Sequence, residues 1–522
     1  MTVTTARSSV AELLGSFAQA TPAQLPEAFG RLTASVWSAD GPTADALSAV
    51  PALVARLDEV DDARKGYLAI VLGLLVQSEF PAAEGGPLTA AVRSGLDRYL
   101  ELLRDRTGQD PLSLALLYLL SHFPGDRERV LAAAEPLRLD PHDRSRLDRC
   151  LQRLDPDRPD LGRVWPSPMV WRLDDDERSF DQEWISKLTA EQTQVNWDND
   201  TRTVLAYTGM RAYWAVRNGV PEETSYPVPA PPAEPMEAPE LDGTAFARYE
   251  GALRCPSCHG DLGFGPGGAR CAPCATTYPV ARGLLDLSAG IRDNAADDPE
   301  DVTADLLQKL SEMPSMGLYY ESVLRPAFLR IAGLNWGNEV LPGDEDAYLA
   351  EHIAPVDGPV LDLAAGAGRW TEVVARTVGP DRLVAQDMGA PMLTALRARL
   401  PEVPAVMASA LDLPYQDGTL GAVNCWNALQ AFPEQADTAI AEIGRVLRPG
   451  GTFTMMTFLW ADDPIDRYFQ GGHHFPSRPA GMLLFELAEL KRWLSDAGMT
   501  VRELSGPGSF VFVTAERTGG GA

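Results

Sequence analysis

The sequence predicts a multidomain protein in which an α-helical N-terminal domain precedes a small cysteine ribbon and an α/β domain. Three observations predict this fold class. Apolar residues at helical spacing fill the chain to about residue 155, two CxxC pairs occupy 255–258 and 271–274, and an apolar strand meets a glycine turn at 358–368. At roughly 150 residues per domain, 522 residues fit about three domains.

The composition is that of a globular protein with a strongly acidic balance. Hydrophobic residues make up 45% of the chain and charged residues 23%, which allows sizeable buried cores. The net charge of −28 repels polyanions, and the sequence has no offsetting cluster of Lys and Arg, which argues against a nucleic-acid partner. No apolar run approaches the roughly 18 residues that span a bilayer, so we expect no membrane association and a cytoplasmic location. The pattern predicts no particular oligomeric state.

The first 219 residues are expected to form a helical domain. Segments such as SAVPALVARLDEV (48–60) and KGYLAIVLGLLVQSEF (65–80) place apolar residues at helical spacing, and breaks such as EGGPL (84–88) separate them. Consecutive short helices with tight links predict stacked helix pairs, without a repeat motif that defines a known repeat family. This domain is expected either to bind the acceptor molecule or to serve as an interaction module.

Aromatic residues are dense between residues 165 and 214. They are Trp165, Trp171, Trp184, Trp197, Tyr207, Tyr213 and Trp214. Such a cluster can line a pocket for a flat, apolar ligand, or it can fill the core where the helical domain closes. Core packing is the more common role of such residues.

Composition shifts mark the domain boundaries. The Pro-rich stretch from Val220 to Gly243 is typical of an extended linker, and the acidic stretch from Arg292 to Leu307 is expected to cap and start a helix. The predicted units are a helical domain at 1–219, a linker at 220–243, a ribbon at 244–290, a helical lead-in and lid at 291–345, and an α/β domain at 346–522.

The two CxxC pairs predict a structural metal site. Cys255 and Cys258 are separated by twelve residues from Cys271 and Cys274. Four thiolates at this spacing can enclose a zinc ion in a closed tetrahedral site that leaves no position open for chemistry. The adjacent His259 is expected to stay outside the ligand set. Zinc binding would stabilise a small module without making it reactive.

A glycine turn in the C-terminal part of the chain predicts a nucleotide-type cofactor site. In GPVLDLAAGAGRWTEVVAR (358–376), a short apolar strand runs into a turn with Gly366 and Gly368 and then into a helix. Glycines let the backbone approach a ligand, and the helix N-terminus lies beside it. Nineteen residues beyond Gly368, a second strand ends at Asp387, where a carboxylate can accept hydrogen bonds from ribose hydroxyls.

Two further motifs make a family resemblance recognisable. The stretch 407–432 contains an L-P-Y turn, and AEIGRVLRPGGTFTMMTF spans 441–458. Together with the D-x-x-x-G-x-G turn and the acid at Asp387, they resemble class I S-adenosylmethionine-dependent methyltransferases of the ubiquinone/menaquinone-biosynthesis type. Including the cysteine ribbon, the resemblance extends to plastid-type members that carry a zinc ribbon, and it covers about 250–515. The first 220 residues match no family that we can name.

The resemblance implies a Rossmann-like fold and an S-adenosylmethionine site. The family's motifs place Asp362, Ala364, Gly366 and Gly368 around the methionine part of the cofactor and Asp387 at its ribose. They place Met388, Ser409, Ala410 and Leu411 around the adenine. Tyr320 is implied as a lid residue, and Asn424 and Trp426 are implied to face the cofactor or the acceptor. Many relatives have an Asp at the position of Ser409. Since serine is shorter, Asp412 or a backbone amide is expected to contact the adenine amine instead.

The residues available for proton transfer lie in one segment. His473 and His474 follow the fifth strand, in the loop expected to cover the acceptor, where a base can remove a proton from a hydroxyl or an acidic carbon. A surface loop with incidental histidines is the equally weighted alternative. Relatives commonly have a His where Gln430 stands, so a base at that position is not available here.

The function predicted from these patterns is methyl transfer to a small-molecule acceptor, by O- or C-methylation, in specialised natural-product or quinone-like metabolism. One rival is an RNA guanine methyltransferase with a zinc ribbon, which requires a basic face on the ribbon. A second rival methylates a peptide or a carrier-bound substrate that the helical domain recruits. The sequence has no N/D-P-P-Y/F tetrapeptide of amino methyltransferases, and Cys425 lacks the preceding proline of the Pro-Cys nucleophile of cytosine methyltransferases, which favours the small-molecule acceptor.

Overall fold

The structure is a computed structural model that describes residues 9–38, 41–81, 85–157, 159, 179, 182–183, 185–221, 240–288, 325–474 and 481–519. Several predictions lie outside these residues: Trp165, Trp171 and Trp184 of the aromatic cluster, most of the linker and of the helical lead-in, and the lid residue Tyr320.

The N-terminal part is helical, as the apolar spacing predicts. Its helices are α1 Val10–Gln19, α2 Leu25–Val36, α3 Ala46–Arg56, α4 Asp62–Gln77, α5 Pro87–Arg93, α6 Leu96–Arg104, α7 Pro111–Leu120, α8 Arg127–Ala134, α9 Pro141–Cys150 and α10 Ala190–Asn218. A short hairpin of β1 Trp37–Ser38 and β2 Gly41–Pro42 follows α2.

Helices α4 and α7 form the centre of this part because they are apolar around their whole circumference. In α4 every residue from Gly66 to Gln77 is buried, and in α7 every residue from Leu112 to Leu120 is buried. Each helix starts at an aspartate whose carboxylate accepts a backbone N–H of the first turn: Asp61 at 3.0 Å and Asp110 at 2.9 Å. Among the described helices, none is both long and apolar enough to cross a bilayer.

The ribbon and the C-terminal part share one large sheet. The ribbon strands are β3 Leu262–Gly265, β4 Gly268–Cys271, β5 Thr277–Ala281 and β6 Leu284–Asp286. The C-terminal strands are β7 Val360–Leu363, β8 Leu383–Asp387, β9 Ala405–Met407, β10 Leu420–Trp426, β11 Leu447–Phe458, β12 Met499–Ser505 and β13 Phe510–Arg517.

Within the described residues, seven α-helices accompany these strands. They are α11 Arg325–Ala332, α12 Pro342–His352, α13 Arg369–Val378, α14 Ala390–Arg399, α15 Ala436–Val446, α16 Pro464–Gly471 and α17 Leu487–Asp496.

The order of the strands defines a doubly wound, Rossmann-like fold. The sheet runs β12-β13-β11-β10-β7-β8-β9-β6-β5-β4-β3, with β9, β8, β7, β10 and β11 parallel and β13 antiparallel to β11. The chain leaves β7 toward β9 and then returns to β10 on the other side of β7. Ligands bind at such a reversal, outside the carboxyl ends of the strands. The predicted cofactor residues after β7, β8 and β9 therefore lie at this edge.

The ribbon is part of this sheet, a feature that the sequence did not predict. Strand β6 pairs in parallel with β9, with Leu284 opposite Ala405 and Asp286 opposite Met407. Without β6, β9 would be an edge strand with unpaired backbone groups. The ribbon thus covers the edge of the Rossmann-like sheet next to the predicted adenine loop.

The helical domain and the α/β domain share a hydrophobic core. Tyr118 of α7 meets Phe469 of α16 edge to face at 5.6 Å, and Tyr207 of α10 meets Trp336 at 5.0 Å. Gly209 permits this close approach, since a Cβ there would lie 2.4 Å from the Phe469 ring. The described helices at the N-terminus therefore pack directly on the α/β half of the chain.

Candidate cofactor-binding site

The turn after β7 has the backbone conformation that its glycines predict. Ala364, Gly366 and Gly368 all have positive φ, of 55°, 54° and 88°. A Cβ at Gly368 would lie 2.8 Å from the side chain of Leu396 and 3.3 Å from its Cα, so this turn packs tightly on α14. At Gly366 the nearest atom would be a flexible Met392 methyl at 3.7 Å, which leaves space beside the backbone for a ligand.

Asp387 ties the turn to the end of β8. Its carboxylate accepts hydrogen bonds from the backbone N–H of Gly366 and of Gly389, both at 2.9 Å. Burial raises the pKa of Asp387, and these backbone donors oppose that rise. Each carboxylate oxygen has a second lone pair, so Asp387 can still accept from ribose hydroxyls at the position where the sequence predicts them.

Asp362 supports the turn from beneath. The carboxylate is buried and accepts hydrogen bonds from Thr371 Oγ1 at 2.5 Å and from Asn424 Nδ2 at 2.7 Å. Burial raises the pKa of Asp362 to about 6, although both hydrogen bonds oppose the rise. Asn424 is itself fully buried, so the structure gives it contact with Asp362; its predicted contact with the cofactor stays a prediction.

The predicted adenine residues lie in loops beside Asp387. The Met388 side chain is 46% exposed, which leaves a large apolar surface available to a flat ring. Ser409 Oγ accepts the backbone N–H of Leu411 at 3.0 Å, and Gln386 Nε2 donates to the Ser409 carbonyl at 2.9 Å. These bonds give the loop that includes Ala410 a defined shape, while its contact with adenine stays a prediction.

Asp412, expected as a substitute for the family's adenine-binding aspartate, contacts the ribbon. One of its oxygens accepts from Arg254 Nη2 at 2.7 Å and the other lies 3.2 Å from His259 Nε2. Both oxygens therefore contact the ribbon, and the contact of Asp412 or of a backbone amide of the loop with adenine stays a prediction. His259, expected to stay outside the metal ligands, has this contact instead.

Sequence reasoning missed a buried ion pair beside the turn. Arg325 donates through Nη2 to both oxygens of Glu345, and Trp426 Nε1 donates to Glu345 Oε2 at 2.8 Å. The Arg325 guanidinium also lies 4.3 Å from the ring centroid of Trp370, the second residue of the helix that follows Gly368. One indication of this pair was present in the sequence, because Arg325 and Glu345 are charged residues that lie in predicted helices close to the expected cofactor site.

His473 and His474 are both buried. The His473 ring lies 6.0 Å from that of Phe328, and the His474 backbone N–H donates to Thr203 Oγ1 of α10 at 3.1 Å. Burial and the neighbouring His474 hold the pKa of His473 well below its usual value, so its imidazole is neutral at neutral pH. Their role as bases stays a prediction, and the residues that follow, 475–480, lie outside the described residues.

The four ribbon cysteines converge as the spacing predicts. Their sulfur atoms all lie within 4.8 Å of one another, with Cys258 and Cys271 at 3.4 Å and Cys255 and Cys274 at 3.7 Å. Tetrahedral zinc with Zn–S bonds of about 2.3 Å requires sulfur separations of about 3.8 Å. The cluster therefore has the composition and dimensions of a closed four-thiolate site.

With this geometry in place, comparison with known proteins defines the class of the C-terminal domain. Residues 360–451, which include the glycine turn, Asp387, the loop predicted to bind adenine and Asn424, match the family model described as "Methyltransferase domain". The chain thus carries a methyltransferase domain at these residues.

Two curated relatives are similar over the C-terminal half. An uncharacterised chloroplastic methyltransferase of Arabidopsis thaliana is 26% identical over 230 residues, which cover 40% of this chain and 62% of that protein. A demethylmenaquinone methyltransferase of Lactococcus lactis is 29% identical over 176 residues, which cover 31% of this chain and 69% of that protein. The chain therefore spans less than two thirds of the first of these relatives.

Among solved structures, phosphoethanolamine N-methyltransferase 2 of Haemonchus contortus, in complex with phosphomonomethylethanolamine and S-adenosylhomocysteine, is similar at 14% identity. The match covers 41% of this chain and 60% of that one, with a TM-score of 0.33. A score this low carries no conclusion about the substrate.

Proposed function

We propose that the protein transfers a methyl group from S-adenosylmethionine to a small-molecule acceptor by O- or C-methylation. One observation carries the proposal. Within the segment that matches the methyltransferase domain, the Asp387 carboxylate at the end of β8 accepts a hydrogen bond from the backbone N–H of Gly366 in the glycine turn. The carboxylate that we expect to accept hydrogen bonds from the ribose hydroxyls is therefore attached by a hydrogen bond to a turn whose backbone a ligand can approach closely.

The residues of the turn fit the methyl donor. A Cβ at Gly366 would occupy the open space beside the turn, so glycine at this position leaves that space free for the methionine part of the cofactor. When bound, S-adenosylmethionine supplies an electrophilic methyl group on a sulfonium. The chain's own residues hold the donor at Asp387 and order the turn through Asp362, and positioning of this kind supplies much of the catalysis of an in-line displacement.

Charge supports a small molecule over RNA as the acceptor. The ribbon at 244–290 contains four arginines, no lysine and three Asp and Glu residues, so its net charge is only +1 and it lacks the strongly basic face that RNA binding requires. Of those arginines, Arg254 is 8% exposed and ion-paired with Asp412. The demethylmenaquinone methyltransferase among the relatives supports a quinone-like acceptor, and specialised natural-product biosynthesis is the setting that we propose.

The shared core argues against the recruitment of a peptide or carrier by an independent module. Gly209 of α10 lies against the Phe469 ring of α16, and Tyr213 Oη donates to Asp463 at 3.0 Å across the boundary. A domain fixed in this way is better suited to shaping one side of a binding site than to tethering a mobile substrate.

For the base we propose His473 or His474. Both follow β11 in the chain, and a neutral imidazole has a ring nitrogen that can accept a proton from a hydroxyl or an acidic carbon. Replacement of either by Gln is expected to lower kcat at neutral pH without weakening S-adenosylhomocysteine binding. An unchanged kcat in both variants would remove the histidines from the mechanism.

For the ribbon we propose a structural zinc ion held by Cys255, Cys258, Cys271 and Cys274. A closed four-thiolate site stabilises the ribbon and leaves no coordination position for chemistry. Mass spectrometry of the intact native protein should show one zinc per chain, and Cys258→Ser should release it. A chain purified with free thiols and unchanged Tm in zinc-free buffer would contradict this assignment.

Turnover with labelled S-adenosylmethionine tests the proposed function. We expect label in reduced naphthoquinones or phenols from a small-molecule panel, and no label in total RNA or peptide pools under the same conditions. Label in RNA that decreases steeply between low and moderate salt would contradict the small-molecule proposal, because phosphate contacts are salt-dependent.

A further inference from the structure

One buried carboxylate, that of Glu345 on α12, connects four elements around the glycine turn. Its oxygens accept hydrogen bonds from Arg325 Nη2 on α11 and, at 2.8 Å, from Trp426 Nε1 at the end of β10. The Arg325 guanidinium in turn lies 4.3 Å from the ring centroid of Trp370, the second residue of α13. Because α13 starts directly after Gly368, these contacts connect the carboxyl end of β10 to the helix N-terminus beside the turn.

Both ends of this set of contacts lie next to residues that shape the turn. Trp426 follows Asn424 by two positions on β10, and Asn424 Nδ2 donates to the Asp362 carboxylate beneath the turn at 2.7 Å. On the other side, Arg369, the first residue of α13, pairs with Asp346 of α12 at 2.9 Å. Helix α12 therefore holds the start of α13 through a second ion pair as well.

The ion pair of Arg325 and Glu345 is buried and incompletely satisfied. Glu345 is 0% exposed and Arg325 is 6% exposed, and Arg325 Nε has no hydrogen bond among the described residues. Both hydrogen bonds to the carboxylate come from the same nitrogen, Nη2. Desolvation of two charges offsets much of their attraction, and apolar side chains of similar volume often give equal or higher stability. Stability alone therefore does not account for a charged pair at this position.

The contacts of the pair give it a fixed geometry instead. A planar guanidinium that is hydrogen-bonded to a carboxylate and stacked on an indole ring has few alternative positions. The Trp426 ring is also held in place, because it stacks on Phe512 with 5.6 Å between ring centroids and an interplanar angle of 19°. The N–H groups at a helix N-terminus bind polar ligand groups, so a small displacement of α13 would change the predicted donor site.

From these contacts we infer that Glu345 is a positioning residue for the methyl donor. Through Arg325 and Trp370 it fixes the start of α13 relative to the end of β10, and this keeps the glycine turn in the shape that binds S-adenosylmethionine. Glu345 acts through the turn and does not itself touch the donor. The inference rests on the proposed function, because it concerns the same donor site.

An apolar replacement of the pair separates positioning from stability. The double variant Arg325→Met/Glu345→Met removes both charges and keeps similar side-chain volumes, so its Tm should stay close to that of the parent. The hydrogen bond from Trp426 and the guanidinium stacked on Trp370 are both lost. Calorimetric titration of the full chain should then show S-adenosylhomocysteine binding that is at least about tenfold weaker.

Two single variants with nearly unchanged side-chain shape provide a matched comparison. Glu345→Gln removes the charge that balances Arg325. Asp143→Asn does the same in the helical domain, where the carboxylate of Asp143, 7% exposed, pairs with Arg146 and Arg211. Both variants should have a lower Tm, because each leaves a buried cation without its carboxylate. Only Glu345→Gln should weaken S-adenosylhomocysteine binding, by about 3- to 10-fold, when both are titrated well below their Tm.

Trp426→Phe tests the contact on the β10 side. It removes the indole N–H that Glu345 accepts and keeps an aromatic ring against Phe512, so we expect S-adenosylhomocysteine binding at least about threefold weaker. Trp336→Phe is the control: Trp336 is also buried, but its Nε1 has no hydrogen bond among the described residues, so the substitution removes none. This comparison decides the inference if the variants of the ion pair do not fold.

Parent-like affinity in Arg325→Met/Glu345→Met would overturn the inference. Equal losses of affinity in Glu345→Gln and Asp143→Asn would overturn it as well, because the loss would then follow stability and not position. If the parent itself does not bind S-adenosylhomocysteine, the proposed function fails together with this inference. Normal binding by the parent and by the double variant would overturn this inference alone.

Discussion

At the residue scale, the turn after β7 depends on a backbone conformation that side chains disfavour. Gly366 and Gly368 have positive φ, and Ala364 adopts the same region with φ of 55°. An L-residue in this region costs about 1–2 kcal/mol. The hydrogen bond that the Gly366 N–H donates to Asp387 and the tight packing on Leu396 offset this cost and fix the shape of the turn.

Gly368→Ala should lower the free energy of unfolding by more than its φ alone explains. The added Cβ would meet Leu396 at 2.8 Å, including its Cα at 3.3 Å, so backbone must move. Gly219→Ala is a matched control: its φ and ψ of 69° and 13° lie in the same left-handed region as the 88° and 14° of Gly368, yet a Cβ there meets nothing within 4 Å. In urea denaturation we expect a loss of about 1 kcal/mol for the control and at least about 2 kcal/mol for Gly368→Ala. Equal losses would show that the contact with Leu396 is not tight.

Individual residues were predictable where their signal is local in sequence. The glycines, Asp387 and the four cysteines form short motifs whose spacing follows from strand, turn and helix geometry. The Arg325–Glu345 pair was not predictable, because its partners lie 20 residues apart and meet only through the packing of α11 on α12. The placement of Asp412 against Arg254 likewise depends on a contact across 158 residues.

At the scale of elements, the ribbon supports the loop expected to bind adenine. Arg254 is 8% exposed and lies 2.7 Å from Asp412 and 3.7 Å from Glu442, while Glu442 also accepts the backbone N–H of Leu413 at 2.8 Å. Strand β6 next to β9 adds a second connection. The ribbon therefore constrains the end of the loop that starts at Ser409.

We expect Arg254→Met to weaken S-adenosylhomocysteine binding about tenfold, or roughly 1.4 kcal/mol, because the loop loses its anchor. Arg248→Met is the control: its ion pair with Asp381 is 3.4 Å long and the aspartate is 97% exposed, so its contribution is small. Calorimetric titration of both variants measures the difference. Unchanged affinity in Arg254→Met would show that the ribbon does not order the loop.

The elements themselves could be predicted, but their pairing could not. Apolar spacing predicts the helices of the first half and the strands of the second, as the structure has them. Strand β6 extends the sheet beyond β9. This pairing depends on which strand edge the folded domain leaves uncovered, and no local sequence pattern shows that edge.

At the scale of the whole molecule, the two halves meet through charged groups as well as apolar packing. Burial and the nearby Asp463 raise the pKa of Asp466 to about 7, even though Arg217 opposes the rise. In the unfolded chain an aspartate has a pKa of about 3.9. Between about pH 4 and pH 7, the folded protein therefore holds a proton at Asp466 that the unfolded chain has released.

Raising the pH through this window should therefore lower the free energy of unfolding, by roughly 1.4 kcal/mol at most for each unit of pKa displacement. Asp466→Asn removes this proton. The parent's stability minus that of the variant should decrease from about pH 4 to about pH 7 and level off above. Thermal or urea unfolding at several pH values measures this difference, and a difference that is flat with pH would contradict the assignment. Asp362, with its pKa of about 6, acts in the same direction but is common to both proteins.

The continuous core between the halves was not predictable either. Composition places a Pro-rich boundary near residue 220, which suggests separable domains, yet Tyr118 and Gly209 pack on Phe469. Amphipathic patterns show that a helix has an apolar face without showing which partner covers it.

The central claim is that the turn after β7 and Asp387 bind the methyl donor. Titration of the full chain with S-adenosylhomocysteine, followed by calorimetry, tests it most directly, with Asp387→Ala as the variant. The control is Asp381→Ala, just before the opposite end of β8, where the carboxylate is 97% exposed. The account predicts one site per chain, retained in Asp381→Ala and weakened at least about 100-fold in Asp387→Ala, on the order of 2.7 kcal/mol. Near-normal affinity in Asp387→Ala would contradict it.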